Sequence, residues 1–275
     1  MIALNSCVIL IPLYKSFSML SEGEKLSIRR TITIFSGYDI IFIAPESINV
    51  TEYQLKFSSN LYFFLIPDYH FYDINSYSKL LMSSFFYAYF KQYDWMLICQ
   101  PDVYVFKNDL HKFTNQNDYF FIGAPVFDSH TKGWEDQTWV GNGGFSLRRI
   151  KTCIEVTMRL EKIKKVSSII GVNKLMGKNL FFIFFRIVIG TYNRINYNSF
   201  FTKYLEERPV NEDVFWCLWV PSFFKKIRPA DIATSTKFSF ERNAENLFQR
   251  NCILPMGCHA WEKYDSKFWT KYIII

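Results

Sequence analysis

Two places in the 275-residue chain set carboxylates where they could act on a ligand. The first is Gln100-Pro101-Asp102, reached by the apolar run Trp95-Met96-Leu97-Ile98-Cys99. That run is long enough for a buried parallel strand and too short for a helix. In open α/β sheets ligands gather at the carboxyl ends of strands, so an acid there can meet a ligand or a metal ion. The competing reading is that Asp102 only caps the turn into residues 103–106. The second place is Asn211-Glu212-Asp213-Val214-Phe215-Trp216, just after Pro209. Adjacent carboxylates at a helix start either serve the helix N-terminus or supply a general base tuned by the neighbouring Trp216 and Trp219.

Between them lies Gly141-Asn142-Gly143-Gly144-Phe145-Ser146-Leu147-Arg148. Glycines this dense let the backbone pass close to a ligand or take positive φ, and Arg148 could reach a phosphate. The same composition also suits a tight loop before a strand. Near the end, Gly257-Cys258-His259-Ala260-Trp261 contains a lone histidine, which by itself reads as structural.

Several elements must position these residues. Residues 7–13 read as the first strand, 39–44 as the second and 61–66 as the third, each stopped by or near a proline. Ser21 and Glu24 form a capping box for a helix that Gly37 ends. Tyr77, Leu80, Leu81, Ser84, Phe85 and Ala88 share one helical face. A short helix is expected near 108–113, a strand at 119–124 and a helix at 150–165. Strand and helix alternation before residue 100 predicts an α/β protein with a parallel, nucleotide-binding type of sheet. The chain lacks G-x-G-x-x-G and G-x-x-x-x-G-K-[ST], which argues against a dinucleotide enzyme or a P-loop NTPase.

Composition narrows the class further. Hydrophobic residues make up 49% of the chain, without a charge-free apolar run of about 18 residues, so a globular and not a membrane-spanning protein is expected. The first 15 residues lack the pattern of a secretory leader. Six scattered cysteines without a C-x-x-C pair read as buried free thiols in a cytoplasmic protein. The net charge is +7, and residues 159–208 hold ten Lys or Arg against three acids, leaving 22 of each sign elsewhere. One segment therefore carries the whole excess. Its apolar centre, LFFIFFRIVI, suits either an interfacial element on a membrane or a core helix with a solvated basic face. It has no recognisable nucleic-acid reading motif, so a nucleic-acid partner ranks well below these.

Taken in order, these pieces resemble the GT-A type of nucleotide-sugar-dependent glycosyltransferase, and most of all a group of bacterial glycosyltransferase-like proteins of unassigned activity. The matching stretches are IPLYK (11–15), QPDVYVF (100–106), IGAP (122–125), GNGGFSLR (141–148), NEDVF (211–215), TKFSFE (236–241) and GCHAW (257–261). The resemblance covers most of the chain apart from about 166–204.

It implies a single Rossmann-like domain over 1–275, with a mixed, mostly parallel sheet flanked by helices. Residues 1–110 would form a nucleotide-binding half and 111–275 an acceptor half, interrupted by a helical basic insertion at about 166–204. The implied activity moves a sugar from a nucleotide-sugar donor, a UDP-sugar, to a hydroxyl of a glycan or glycolipid, with inversion. The insertion would make peripheral contact with the inner membrane face. The family's Asp-x-Asp metal motif has Gln100 in place of its first acid, leaving Asp102, with His259, to hold Mn²⁺ or Mg²⁺. Donor binding would fall to Pro12, Tyr14, Lys15, Gln100, Asp102, Gly143, Gly144, Arg148 and Lys237, and acceptor binding to Trp134, Trp139 and Asn142. Asp213 would be the base and Glu212 its orienting or acceptor-binding neighbour. The departure at Gln100 keeps open a non-catalytic sugar-nucleotide or glycan-binding protein of the same fold.

Overall fold

The computed structural model describes residues 6–58, 60–115, 118–127, 137–161 and 210–273. Its centre is β1 (Cys7–Pro12), buried along its whole length. β2 (Asp39–Pro45) and β4 (Trp95–Cys99) flank β1 in parallel, and β3 (Tyr62–Ile66) adds in parallel beyond β2. Past β4 the direction changes. β9 (Phe145–Arg149) runs antiparallel to β4, and β6 (Phe121–Ile122) runs antiparallel to β9. The result is a six-stranded, mixed, mostly parallel sheet in the order β3-β2-β1-β4-β9-β6.

The sheet divides two cores because successive strand residues point to opposite faces. Val8 and Leu10 of β1 join one cluster, while Cys7, Ile9 and Ile11 join the other. With both faces covered, the central strands read as unbroken apolar runs, which made them visible in the sequence. The first core takes in Phe86, Tyr87 and Phe90 together with Cys153, Val156 and Trp216. The second takes in Ile28, Phe35 and Tyr53.

α1 (Glu22–Ile34) begins at the expected capping box, with Ser21 and Glu24 each accepting the other's backbone N–H. The single helix expected around residues 77–88 is two, α2 (Ile74–Leu81) and α3 (Ser84–Tyr89). Ser83 separates them, because its hydroxyl accepts the Phe86 N–H as a fresh N-cap. The strand expected at 119–124 also divides. Phe121 and Ile122 stay in the main sheet, while β7 (Ala124–Phe127) leaves it to pair with β8 (Gln137–Gly141). The switch is at Gly123, where a Cβ would overlap the Gly141 carbonyl oxygen.

A small sheet completes the site's frame. β5 (Val103–Val105) pairs antiparallel with β11 (Gly257–His259), which pairs in parallel with β10 (Ser239–Phe240). All six cysteines are free; Cys252 is exposed and the other five are buried. Trp134 and the basic segment at 166–204 lie outside the described residues. Among the described residues no helix is long and apolar enough to cross a membrane.

Candidate active site

The small sheet and the end of β4 assemble the first polar cluster. The Gln100 N–H donates to the Gly144 carbonyl at 2.8 Å, and the Val103 N–H turns back onto Gln100 O at 3.0 Å, so Asp102 sits in a tight turn. Antiparallel pairing sets His259 opposite Val103, and the Ala260 N–H donates to Asp102 O at 3.0 Å. Parallel pairing of Phe240 with Cys258 then delivers Glu241 to the far side of the same imidazole. His259 Nε2 lies 3.1 Å from Gln100 Oε1 and 3.3 Å from Asp102 Oδ1, while Nδ1 lies 3.3 Å from Glu241 Oε1.

Burial alone would lower the His259 pKa, but the Asp102 and Glu241 carboxylates outweigh it and push it up to about 10. Asp102 shifts the other way. Burial raises it, and the His259 and Lys15 charges bring it below the ordinary carboxylate value. Asp102 Oδ1 is close enough to His259 for an ion pair, yet it is buried without an aligned hydrogen bond.

The second cluster is built on β9 and the turn at 211–213. Arg148 is fully buried, with Nη2 2.9 Å from Glu212 Oε1 and 3.0 Å from Ser146 Oγ, Nη1 3.0 Å from the Tyr87 hydroxyl, and the guanidinium over the Phe121 ring. Burial raises the Glu212 pKa, Arg148 opposes the rise and Asp213 adds to it. Asp213 is half-buried and held by two backbone donors, Asn142 N–H to Oδ2 at 3.0 Å and Val214 N–H to Oδ1 at 2.8 Å.

The glycine loop joins the clusters. Asn142 takes the left-handed conformation at φ 69°, and its Oδ1 accepts the Gly144 N–H at 3.0 Å. A Cβ on Gly143 would overlap Glu212 Oε1, and one on Gly144 would overlap His259 Nε2, so the two adjacent glycines each face one cluster. The Tyr77 side chain lies beside Gln100 and feels Arg148 and Glu212, on the α2 side of the clusters.

The structure places the other expected site residues. Arg148, expected on the donor phosphate, is paired inside the protein with Glu212. Lys15 is bonded at 2.6 Å to Glu24, the capping-box acid of α1. Lys237 is exposed on the helix Ile232–Phe238, and among the described residues no contact joins it to either cluster. Pro12 is buried at the end of β1, and Tyr14, partly exposed, lies within electrostatic reach of Asp102. Trp139 is half-buried against the first core, with its ring over Gly141. Sequence reasoning missed Glu241, although it closes the TKFSFE stretch. It also missed Tyr77 and Tyr87, which no local signal distinguishes from the chain's other tyrosines.

Of the two clusters, the first is the one whose side chains could hold a divalent cation. Among the described residues no three His, Cys, Asp or Glu side chains converge as a metal-binding group. Glu241 is on the wrong imidazole nitrogen to converge with Asp102, so a third ligand must be the Gln100 carbonyl oxygen. The donor set of carboxylate, carbonyl and imidazole suits Mn²⁺ or Mg²⁺, and Asp102 Oδ1, which lies 3.3 Å from His259 Nε2 without an aligned hydrogen bond, is the atom a cation would satisfy.

Comparison with solved structures returns glycosyltransferases at low identity. One is a glycosyltransferase involved in glycosylation of the major capsid of PBCV-1, with 12% identity, 95% of each chain covered and a TM-score of 0.45. Another is the galactosyltransferase LgtC with donor and acceptor sugar analogues, with 11% identity, 92% of this chain and 86% of that chain covered, and a TM-score of 0.49. A third is the glycosyltransferase GlyE of Streptococcus pneumoniae TIGR4, with 11% identity and a TM-score of 0.47; the match covers 98% of this chain and 60% of that one. No curated protein matches the sequence. The family model for DUF5672, a protein of unknown function, matches residues 60–259, a span that includes Gln100, Asp102, the glycine loop, Glu212, Asp213 and His259. The chain belongs to the DUF5672 family.

Proposed function

We propose that the protein transfers a sugar from a nucleoside diphosphate donor, with UDP-sugars the first to test, to a hydroxyl of a glycan or glycolipid acceptor. The observation that carries this reading is a set of three buried polar atoms around one loop that make no aligned hydrogen bond among the described residues: Asp102 Oδ1, Asn142 Nδ2 and Glu212 Oε2. Such atoms are costly to leave unpaired, and a ligand rich in hydroxyl and phosphate oxygens would satisfy all three.

The roles follow from position. Asp102, Gln100 and His259 form the donor side, where a bound divalent cation would neutralise the diphosphate as it leaves. Gly143 and Gly144 let the substrate approach the backbone between the clusters. Asn142 Nδ2 donates to a ligand oxygen. Glu212, anchored by Arg148 through Oε1, presents Oε2 to an acceptor hydroxyl. Asp213, fixed by two N–H donors but still half-exposed, takes the proton of the attacking hydroxyl. The acceptor oxygen bonds to the anomeric carbon while the bond to the diphosphate oxygen breaks. The electron pair leaves on the diphosphate, and the anomeric centre inverts.

The test is a thermal-shift screen against nucleotide sugars with and without Mn²⁺, followed by an assay for released nucleoside diphosphate. A donor that stabilises only with Mn²⁺ and is then turned over supports the reading. Binding without release of nucleoside diphosphate in the presence of any acceptor hydroxyl or water would leave only a binding protein of this fold. A product that retains the donor's anomeric configuration would refute single displacement.

A further inference from the structure

The two nitrogens of His259 face different groups. Nε2 is directed at Gln100 Oε1 and Asp102 Oδ1, at 3.1 and 3.3 Å, whereas Nδ1 is directed at Glu241 Oε1, at 3.3 Å. Two oxygens thus face Nε2 on one side of the ring, and a single carboxylate faces Nδ1 on the other. Glu241 reaches this position through the sheet, since Phe240, the last residue of β10, pairs with Cys258, and the residues that follow are Glu241 and His259. Its side chain is 22% exposed and that of His259 13%, so the contact is sheltered from solvent on both sides.

We infer that Glu241 is a positioning residue for the cation site, an acceptor that takes the Nδ1–H of His259 and so presents the Nε2 lone pair to the cation held with Asp102 and Gln100. This inference rests on the sugar-transfer reading and adds to it a residue that touches neither cation nor substrate. A neutral imidazole carries one N–H, and the partner of one nitrogen decides which nitrogen is free to ligate. A carboxylate behind a ligating histidine fixes ring orientation and raises ligand basicity, and its loss typically weakens metal binding by about 10–100-fold. Gln100 sharpens the need, because a carbonyl ligand contributes no net charge and leaves more of the affinity to the imidazole.

The test is Mn²⁺ titration of the full chain by calorimetry, comparing wild type with Glu241→Gln, Glu241→Ala and Asp102→Asn. It is paired with the Co²⁺-loaded proteins, in which the N–H of a ligating histidine gives a hyperfine-shifted proton resonance. Thermal unfolding without metal serves as the folding control, and the isosteric Glu241→Gln covers the case in which the alanine variant does not fold. The expected result is Mn²⁺ affinity about 10–100-fold weaker in Glu241→Ala and less so in Glu241→Gln, whose amide oxygen can still accept the N–H. The Nδ1–H resonance should broaden or vanish in Glu241→Ala through faster exchange with water. Wild-type affinity and an intact resonance in both Glu241 variants would overturn the role of Glu241 while Asp102→Asn still loses metal, leaving the cation site standing. Failure of the wild type itself to bind Mn²⁺ would remove the cation site and this role together.

Discussion

The reassignment of Arg148 from donor phosphate to buried ion pair has a measurable signature in the variant Arg148→Met. Arg148 is 0% exposed and Glu212 6%, and Met fills much of the same volume without charge. Removing one partner of a buried pair costs about 3–5 kcal/mol. The electrostatic share can be bounded. A stranded Glu212 escapes its penalty by taking up a proton, and from its ordinary value of 4.5 to pH 7 is about two and a half pH units, at about 1.36 kcal/mol each, or ~3.4 kcal/mol. The remainder comes from the Tyr87 and Ser146 hydroxyls that lose their donor.

The sign follows from the same group. In the variant the folded-state pKa of Glu212 rises beyond its already raised wild-type position, so the electrostatic share of the penalty is absent below about pH 4.5 and grows as pH rises above it. Urea denaturation at pH 7.0 and 5.5 should therefore give a difference from wild type that shrinks at the lower pH, by about 2 kcal/mol at most. The double variant Arg148→Met/Glu212→Leu should recover most of the loss at both pH values. A penalty equal at the two pH values, or a variant as stable as wild type, would refute the buried-pair assignment and return Arg148 to the list of free cations.

Other expectations can be checked with the same protein. Asp213→Asn should lower turnover by about a hundredfold or more while donor binding survives, as measured by nucleoside diphosphate release and calorimetry; equal loss of donor affinity would place the base elsewhere. Gly144→Ala, whose Cβ would overlap His259 Nε2, should abolish Mn²⁺-dependent stabilisation, whereas Gly143→Ala, directed at Glu212, should cost about 1–3 kcal/mol of stability and leave Mn²⁺ binding measurable. Because His259 is pushed up to about 10, Mn²⁺ must displace its proton at neutral pH, so affinity should rise about tenfold from pH 7 to pH 8. A pH-independent affinity would mean that His259 is not a ligand. Without metal, the same raised pKa contributes stability that is present below about pH 6.5 and lost as pH rises toward 10, so EDTA-treated protein should unfold more readily at pH 9 than at pH 7.

The main sheet was legible because its parallel strands are buried on both faces and read as apolar runs with proline stops; β1 to β4 begin and end within a residue or so of their expected limits. Breaks decided by one local bond were not legible. Ser83 caps a new helix with a hydroxyl no different in sequence from the chain's other serines, and Gly123 lets the chain change sheets where the apolar pattern runs on. In the site, residues named from motifs did converge where the motif lay at a strand end, as with Asp102 and His259. Arg148 misled because an arginine after a glycine-rich loop looks like a phosphate ligand. A sharper signal was available: Ser146 and Arg148 are two apart on a strand flanked on both sides, so both point into the same interior and need partners there. Glu241 was missed because its partner is 18 residues away and reached only through parallel pairing.

The spent charges also bear on why a cation would be needed at all. The sequence offers Lys15, Arg148 and Lys237 as positive charge for a diphosphate. In the structure Lys15 is paired with Glu24, Arg148 with Glu212, and Lys237 is exposed on the helix Ile232–Phe238. Asp102, Glu241 and Asp213 remain, opposed by His259 and, at Asp102, by the smaller influence of the Glu24-paired Lys15. A cleft of that sign would repel an anionic donor, and a divalent ion held by Asp102, Gln100 and His259 would reverse the local field on the proposed donor side. Donor binding should therefore depend on the ion more steeply than in a site with a free arginine. Without Mn²⁺, UDP affinity should weaken when salt is low, because repulsion is then least screened. Stronger UDP binding at low salt in EDTA would show that an unassigned positive group serves the diphosphate and that the cation is dispensable.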